Sequence, residues 1–147
     1  MKITSTICFH ADPAIFGAVR RFVAQFVMLA GGSDRDAAEL EMATGELLTN
    51  AYCHAYRKRR GPLHLELSHD GQSIDISVHD EGDVIAGTLN IPSTLAPGNE
   101  HRGLYLVGQL TDHVDVVHPR NARGGTTIRM VKHVNKLLWL ECVLGLR

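Results

Sequence analysis

Glu46 and Asn50 stand four positions apart in Glu46-Leu-Leu-Thr-Asn50, within a stretch of helical periodicity. Residues at i and i+4 of a helix project from nearly the same side. The carboxylate can accept a proton, and the amide oxygen can ligate a hard cation such as Mg²⁺, which prefers oxygen and keeps several waters. Further on, a strand pattern ends in Asp80-Glu-Gly82. An ionised carboxylate at a strand end can accept a hydrogen bond from an exocyclic amine, and a glycine beside it lets backbone approach a flat ligand. Two more segments follow in order: Arg102-Gly103-Leu104-Tyr105 at the start of a helical pattern, and Gly124-Gly125-Thr126-Thr127 opening a strand.

The elements that must position these residues are legible from pattern. Ile3 to His10 has the β-branched enrichment of a strand, and Asp12-Pro13 caps and opens a helix. That helix is expected to run to about Ala30, with Ile15, Val19, Phe22, Val23 and Phe26 as its core stripe and Gly31-Gly32 as its stop. Ser33 and Asp36 have capping-box spacing for a second helix persisting to the neighbourhood of Arg57. On its wheel Leu40, Thr44, Leu47, Leu48, Ala51 and Ala55 form one face. Glu46 and Asn50 then lie roughly 90° from the centre of that face, on its flank, where a cleft wall would be.

Leu63, Leu65 and Leu67, then Ile74, Ile76 and Val78, alternate with polar residues around His69-Asp70-Gly71-Gln72, a hairpin signal that delivers Asp80 at its end. The segment from about Asp83 to His101 holds Gly87, Pro92, Pro97 and Gly98 without sustained periodicity, as a functional lid would. A helix over Arg102 to His113 and strands over Val114 to His118 and Thr126 to Val131 complete an α+β reading: a two-layer sandwich of a mixed, antiparallel-rich sheet covered on one face by helices.

Bulk properties narrow the function. The 147 residues fit one domain, and a formal net charge of −1 argues against a general nucleic-acid binder. Small molecules and proteins are the expected partners. Cys8, Cys53 and Cys142 lie far apart and odd in number, which suits a reducing cytoplasm better than a disulfide framework, and Cys53 is expected to be buried beside the site. No signal peptide and no membrane span is expected, since the apolar run from Leu137 to Leu146 is about half the ~20 residues a span needs. The absence of a Gly-x-x-x-x-Gly-Lys-Ser/Thr run excludes a P-loop. Arg57-Lys-Arg-Arg60 reads as a solvated helix end complementing the macrodipole, with docking to an acidic protein surface as the alternative.

In this order the four segments resemble the nucleotide-binding boxes of the GHKL superfamily of ATPases and kinases, and most closely its anti-sigma factor serine/threonine kinases, with their Bergerat-type, histidine kinase-like ATPase fold. The resemblance spans the chain to about His133, and implies an ATP-binding kinase domain over residues 1–134 followed by an apolar tail over 135–147. It implies ATP and Mg²⁺ as ligands, Glu46 as catalytic base, and Asn50 as the Mg²⁺ ligand. It makes Asp80 the adenine reader with Gly82 beside it. Arg102, Gly103 and Leu104 become the phosphate-receiving helix start, and Thr126 or Thr127 the hydroxyl supporting the adenine pocket. Two positions depart from the fuller pattern: Val84 and His101 each stand where a glycine is frequent. The implied activity is phosphorylation of an anti-anti-sigma (STAS-type) partner by a homodimeric, cytoplasmic protein that also binds a sigma factor. A nucleotide-gated protein-binding module with little transfer chemistry is the rival. A histidine kinase catalytic half is disfavoured because no phosphoacceptor hairpin precedes the domain.

Overall fold

The computed structural model describes residues 2–83, 91–94, 102–117, 124–134 and 144–145. Most of the expected lid, with Val84 and His101, and nearly all of the apolar tail lie outside the described residues. Strand β1 (Ile3–His10) leads into helices α1 (Pro13–Leu29) and α2 (Asp34–Asn50), and a π-helical turn (Ala51–Ala55) extends α2. The hairpin β2 (Pro62–His69) and β3 (Ser73–Asp80) follows, then α3 (Arg102–Leu110), β4 (His113–Val117) and β5 (Thr126–His133). The sheet order is β1-β2-β3-β5-β4, and all four pairings are antiparallel. Helices cover one face, so the α+β two-layer expectation holds.

Local chemistry explains the element ends. The Asp12 carboxylate accepts from the Ala14 N–H at 3.0 Å with Pro13 in the first turn. At the other end Gly31 takes φ +84°, and the N–H groups of Gly31 and Gly32 donate to the carbonyls of Met28 and Val27, a Schellman closure. Ser33 and Asp36 form the expected reciprocal box. The four residues of the basic run are exposed after the helix end, as expected, and two of them also form ion pairs. Arg57 and Lys58 take left-handed φ values that stop the helix, while Arg57 pairs with Asp83 at 3.0 Å and Arg60 with Asp12 at 2.5 Å.

The buried stripe of α1 is Phe16, Val19, Val23, Phe26 and Val27, rotated from the expected one. Ile15 and Phe22 are 37% and 38% exposed. Arg20, Arg21 and Gln25 mark an outward side only broadly, and packing against α2 sets the rotation of the buried stripe. Along α2 and its π-turn all six residues assigned to the inner face are buried, while Glu46 and Asn50 are half-buried on its flank.

Alternation gives the sheet an apolar inner file: Leu63, Leu65 and Leu67 on β2, Ile74, Ile76 and Val78 on β3, Ile128 and Met130 on β5. Polar residues end that file. Asp80 and Thr126 terminate it at one margin, cross-strand partners in the β3–β5 register. His69 terminates it at the other, 2% exposed, with no hydrogen-bond partner for Nε2 among the described residues. Burial pushes the His69 pKa below its ordinary value, and the nearby Asp70 charge opposes this.

Stability should therefore depend on His69 in a stated direction. Its folded pKa lies below its unfolded one, so the unfolded chain binds the extra proton and stability falls as pH drops through the unfolded value near 6.5 towards the folded one. Urea unfolding in steps from roughly pH 8 to pH 5 checks this, and His69→Leu should flatten the decline. An unchanged slope in the variant would remove His69 as its source.

Candidate functional site

A cleft of about 140 Å³ lies between α2 and the start of α3, lined by Glu46, Thr49, Asn50, Cys53, His54, Gly103 and Leu104. The i, i+4 spacing thus brings the carboxylate and the amide to one cavity. Gly103 is there for space: a Cβ on it would stand 2.6 Å from Oε2 of Glu46. Glycine lets the first turn of α3 close onto the carboxylate, so N–H groups of a helix start, a carboxylate and an amide share one wall. Leu104 is buried under that turn, and Arg102 is exposed at its outset.

The second half of the site lies at the sheet margin. Asp80 is 6% exposed, and its Oδ1 accepts from the Gly82 N–H at 3.1 Å. Thr126, across from it, is 2% exposed with Oγ1 unpartnered among the described residues. The two threonines are separated by the register. Thr126 shares the inner face with Asp80, whereas Thr127 is paired with His79 and its Oγ1 lies 2.9 Å from His79 Nδ1. A buried hydroxyl left without a partner beside a carboxylate fits a ligand bearing adjacent donors and acceptors, as the edge of a purine does.

Two glycines fix this half. Gly125 takes φ +97° and lies so close to Asp80 that any Cβ would overlap the Asp80 carbonyl oxygen, while its N–H donates to Gly82 O at 2.9 Å. Gly82 has a structural duty besides any ligand contact: its Cβ would stand 2.5 Å from the Ala55 carbonyl oxygen. Asp80, Gly82, Thr126 and Thr127 do not line the α2–α3 cleft, so the sequence-derived residues fall into two groups, one at that cleft and one at the sheet margin.

Thr49, His54 and Tyr56 belong to none of the four segments that carry the sequence signal, although Thr49 and His54 line the cleft. Thr49 and His54 lie three and eight residues beyond Glu46 and were within reach of the same wheel. Cys53 lines the cleft as expected, but it is half-buried where burial was expected, and it is not disulfide-bonded.

The profile of the family described as histidine kinase-like ATPase domain matches residues 9–132. The chain belongs to that family. Among relatives of this ATPase domain, the serine-protein kinase RsbW of Staphylococcus epidermidis is 30% identical over 119 residues, 73% of this chain and 72% of that protein. RsbW of Bacillus velezensis is 27% identical over 135 residues, 85% and 82% of the two chains. RsbW of Bacillus pumilus is 27% identical over 140 residues, 86% and 83%. The fold of the ATPase domain is also that of a histidine kinase domain from the blue-light activated histidine kinase of Erythrobacter litoralis EL346, with a TM-score of 0.56 and 22% identity. That match covers 86% of this chain and 65% of the other. No described helix of the ATPase domain is long and apolar enough to cross a membrane.

Proposed function

We propose that the chain is an ATP-dependent serine/threonine protein kinase of the anti-sigma factor type. The observation that carries this reading is Glu46 itself: a half-buried carboxylate seated against the first turn of α3, in the same cleft as Asn50. Its Oε atoms would accept the proton of an incoming serine hydroxyl. Phosphoryl transfer depends mainly on positioning and charge neutralisation, so a base and a phosphate-holding wall are the parts the chemistry requires. Asn50 would hold Mg²⁺ through its amide oxygen together with waters. When bound, Mg²⁺ supplies neutralisation of phosphate charge. The start of α3, from Arg102 to Leu104, would receive phosphate oxygens through its N–H groups. Asp80 and Thr126 would read adenine, and Gly82 would leave room for its approach. The names of the RsbW relatives support kinase activity on serine. The proposed partners are an anti-anti-sigma protein of STAS type, which supplies the hydroxyl, and a sigma factor; the active form is a homodimer in the cytoplasm.

Calorimetric titration with ATP and Mg²⁺ tests the reading. Binding should raise the melting temperature by mass action, worth about 2.7 kcal/mol at a hundredfold excess over Kd. Asn50→Ala should make nucleotide affinity insensitive to Mg²⁺, and Asp80→Asn should weaken the preference for ATP over GTP. Absence of both heat and thermal shift at millimolar nucleotide would sink the reading. Equal ATP and GTP affinities in the unmutated protein would remove Asp80 from its role.

A further inference from the structure

Tyr56 follows the π-turn directly, and its side chain reaches from the helix end to the strand end that carries Asp80. Its hydroxyl donates to the Pro62 carbonyl at 2.5 Å and accepts from the Glu81 N–H at 2.8 Å. Its ring lies against Gly61, where any Cβ would overlap it. Two backbone contacts run alongside. The Asp83 N–H donates to the Ala55 carbonyl at 3.1 Å, and Gly82 packs onto that same carbonyl. The helix end and the Glu81–Asp83 turn are thus joined through Tyr56, through the Ala55 carbonyl and through the exposed Arg57–Asp83 ion pair, and among these the Tyr56 hydroxyl is the side-chain group that holds the backbone next to Asp80. Because that hydroxyl gives its proton to Pro62, its lone pairs face the Glu81 amide, and both hydrogen bonds are made by the neutral phenol. Burial, the largest influence on it, raises the Tyr56 pKa and keeps the group in that form.

We infer that Tyr56 is a positioning residue for base selection: by fastening the Glu81 amide to the end of the helix that carries Glu46 and Asn50, it sets where the Asp80 carboxylate stands relative to the phosphate half of the site. The inference rests on the nucleotide reading proposed above. Asp80 precedes the fastened amide by one residue, and its own Oδ1 is tied to the Gly82 N–H one residue beyond. Releasing Glu81 therefore loosens the turn on which the carboxylate is held. The cleft residues Glu46, Asn50 and Gly103 belong to α2 and α3, not to the fastened turn, and keep their positions.

The test is Tyr56→Phe in the full chain, titrated with Mg²⁺ and each of ATP, GTP and inorganic tripolyphosphate. Phe keeps the ring against Gly61 and removes only the hydroxyl. The ratio of ATP to GTP affinity should fall about tenfold, the scale of one lost hydrogen bond, with tripolyphosphate affinity unchanged. A residue that merely stabilises the fold would lower the melting temperature without moving that ratio, so an unchanged ratio, or an equal loss for all three ligands, overturns the inference. Failure of the unmutated protein to bind any of the three overturns the nucleotide reading itself, whereas binding with an unmoved ratio in Tyr56→Phe defeats the role of Tyr56 alone. Should Tyr56→Phe not fold, amide hydrogen exchange on the unmutated protein decides. The Glu81 amide should exchange as slowly as the hydrogen-bonded amides of β3, and fast exchange there overturns the inference.

Discussion

Glu46→Gln should leave Mg²⁺-dependent ATP affinity close to that of the unmutated protein and slow phosphoryl transfer by ~10² to 10⁴, the range for loss of a general base. Gln matches Glu in shape, so the close approach of Gly103 is preserved and the cleft keeps its form. What disappears is the ability to take a proton. Radiolabelled transfer from ATP to a purified anti-anti-sigma protein from the same genome measures the effect. Transfer undiminished by the substitution would contradict the base assignment. ATP binding with no transfer to any such protein would favour a nucleotide-gated binding module, in which Glu46 serves only to shape the cleft.

The second large effect is on stability. Gly125→Ala places a Cβ on a backbone with φ +97° and drives it into the Asp80 carbonyl oxygen. Left-handed strain in a non-glycine residue costs on the order of 1–3 kcal/mol, and overpacking against an atom that cannot swing aside adds a similar amount. A loss of about 2–6 kcal/mol is expected, which for a domain of this size lowers Tm by roughly 5–20 °C. Relief of the clash requires β3 and β5 to part at Asp80 and Thr126, so nucleotide should stabilise the variant less than it does the unmutated protein. Scanning calorimetry with and without Mg²⁺ and ATP measures both. A Tm within about 2 °C of the unmutated protein would show that the margin of the sheet yields freely.

Much of this site was legible because the chain punctuates itself. Asp12-Pro13, Gly31-Gly32 and the Ser33–Asp36 box each act over three or four residues, and each does in the structure what its spacing implies. The Glu46–Asn50 pair belongs to the same class: its geometry is internal to one helix. Failures of reading begin where a partner far along the chain makes the decision. The rotation of the buried stripe of α1 is set by packing against α2, which its own polar residues Arg20, Arg21 and Gln25 leave open. Thr126 and Thr127 are told apart only by the β3–β5 register, which pairs them with Asp80 and His79. Local pattern also cannot insert β5 between β3 and β4 in the sheet. Tyr56 is invisible to motif reading because the amide it holds lies 25 residues downstream.

The π-turn has a geometric consequence for the cleft. Residues four apart in an α-helix overshoot one revolution by about 40°, so a third side chain in such a series would have swung well away from the first. After Asn50 the winding slackens, with the Tyr56 N–H donating to the Ala51 carbonyl five residues back. A wider revolution carries four residues through less than a full circle, reversing the overshoot accumulated between Glu46 and Asn50. The helix behaves as a vernier, and His54 returns to the wall that Glu46 and Asn50 already share.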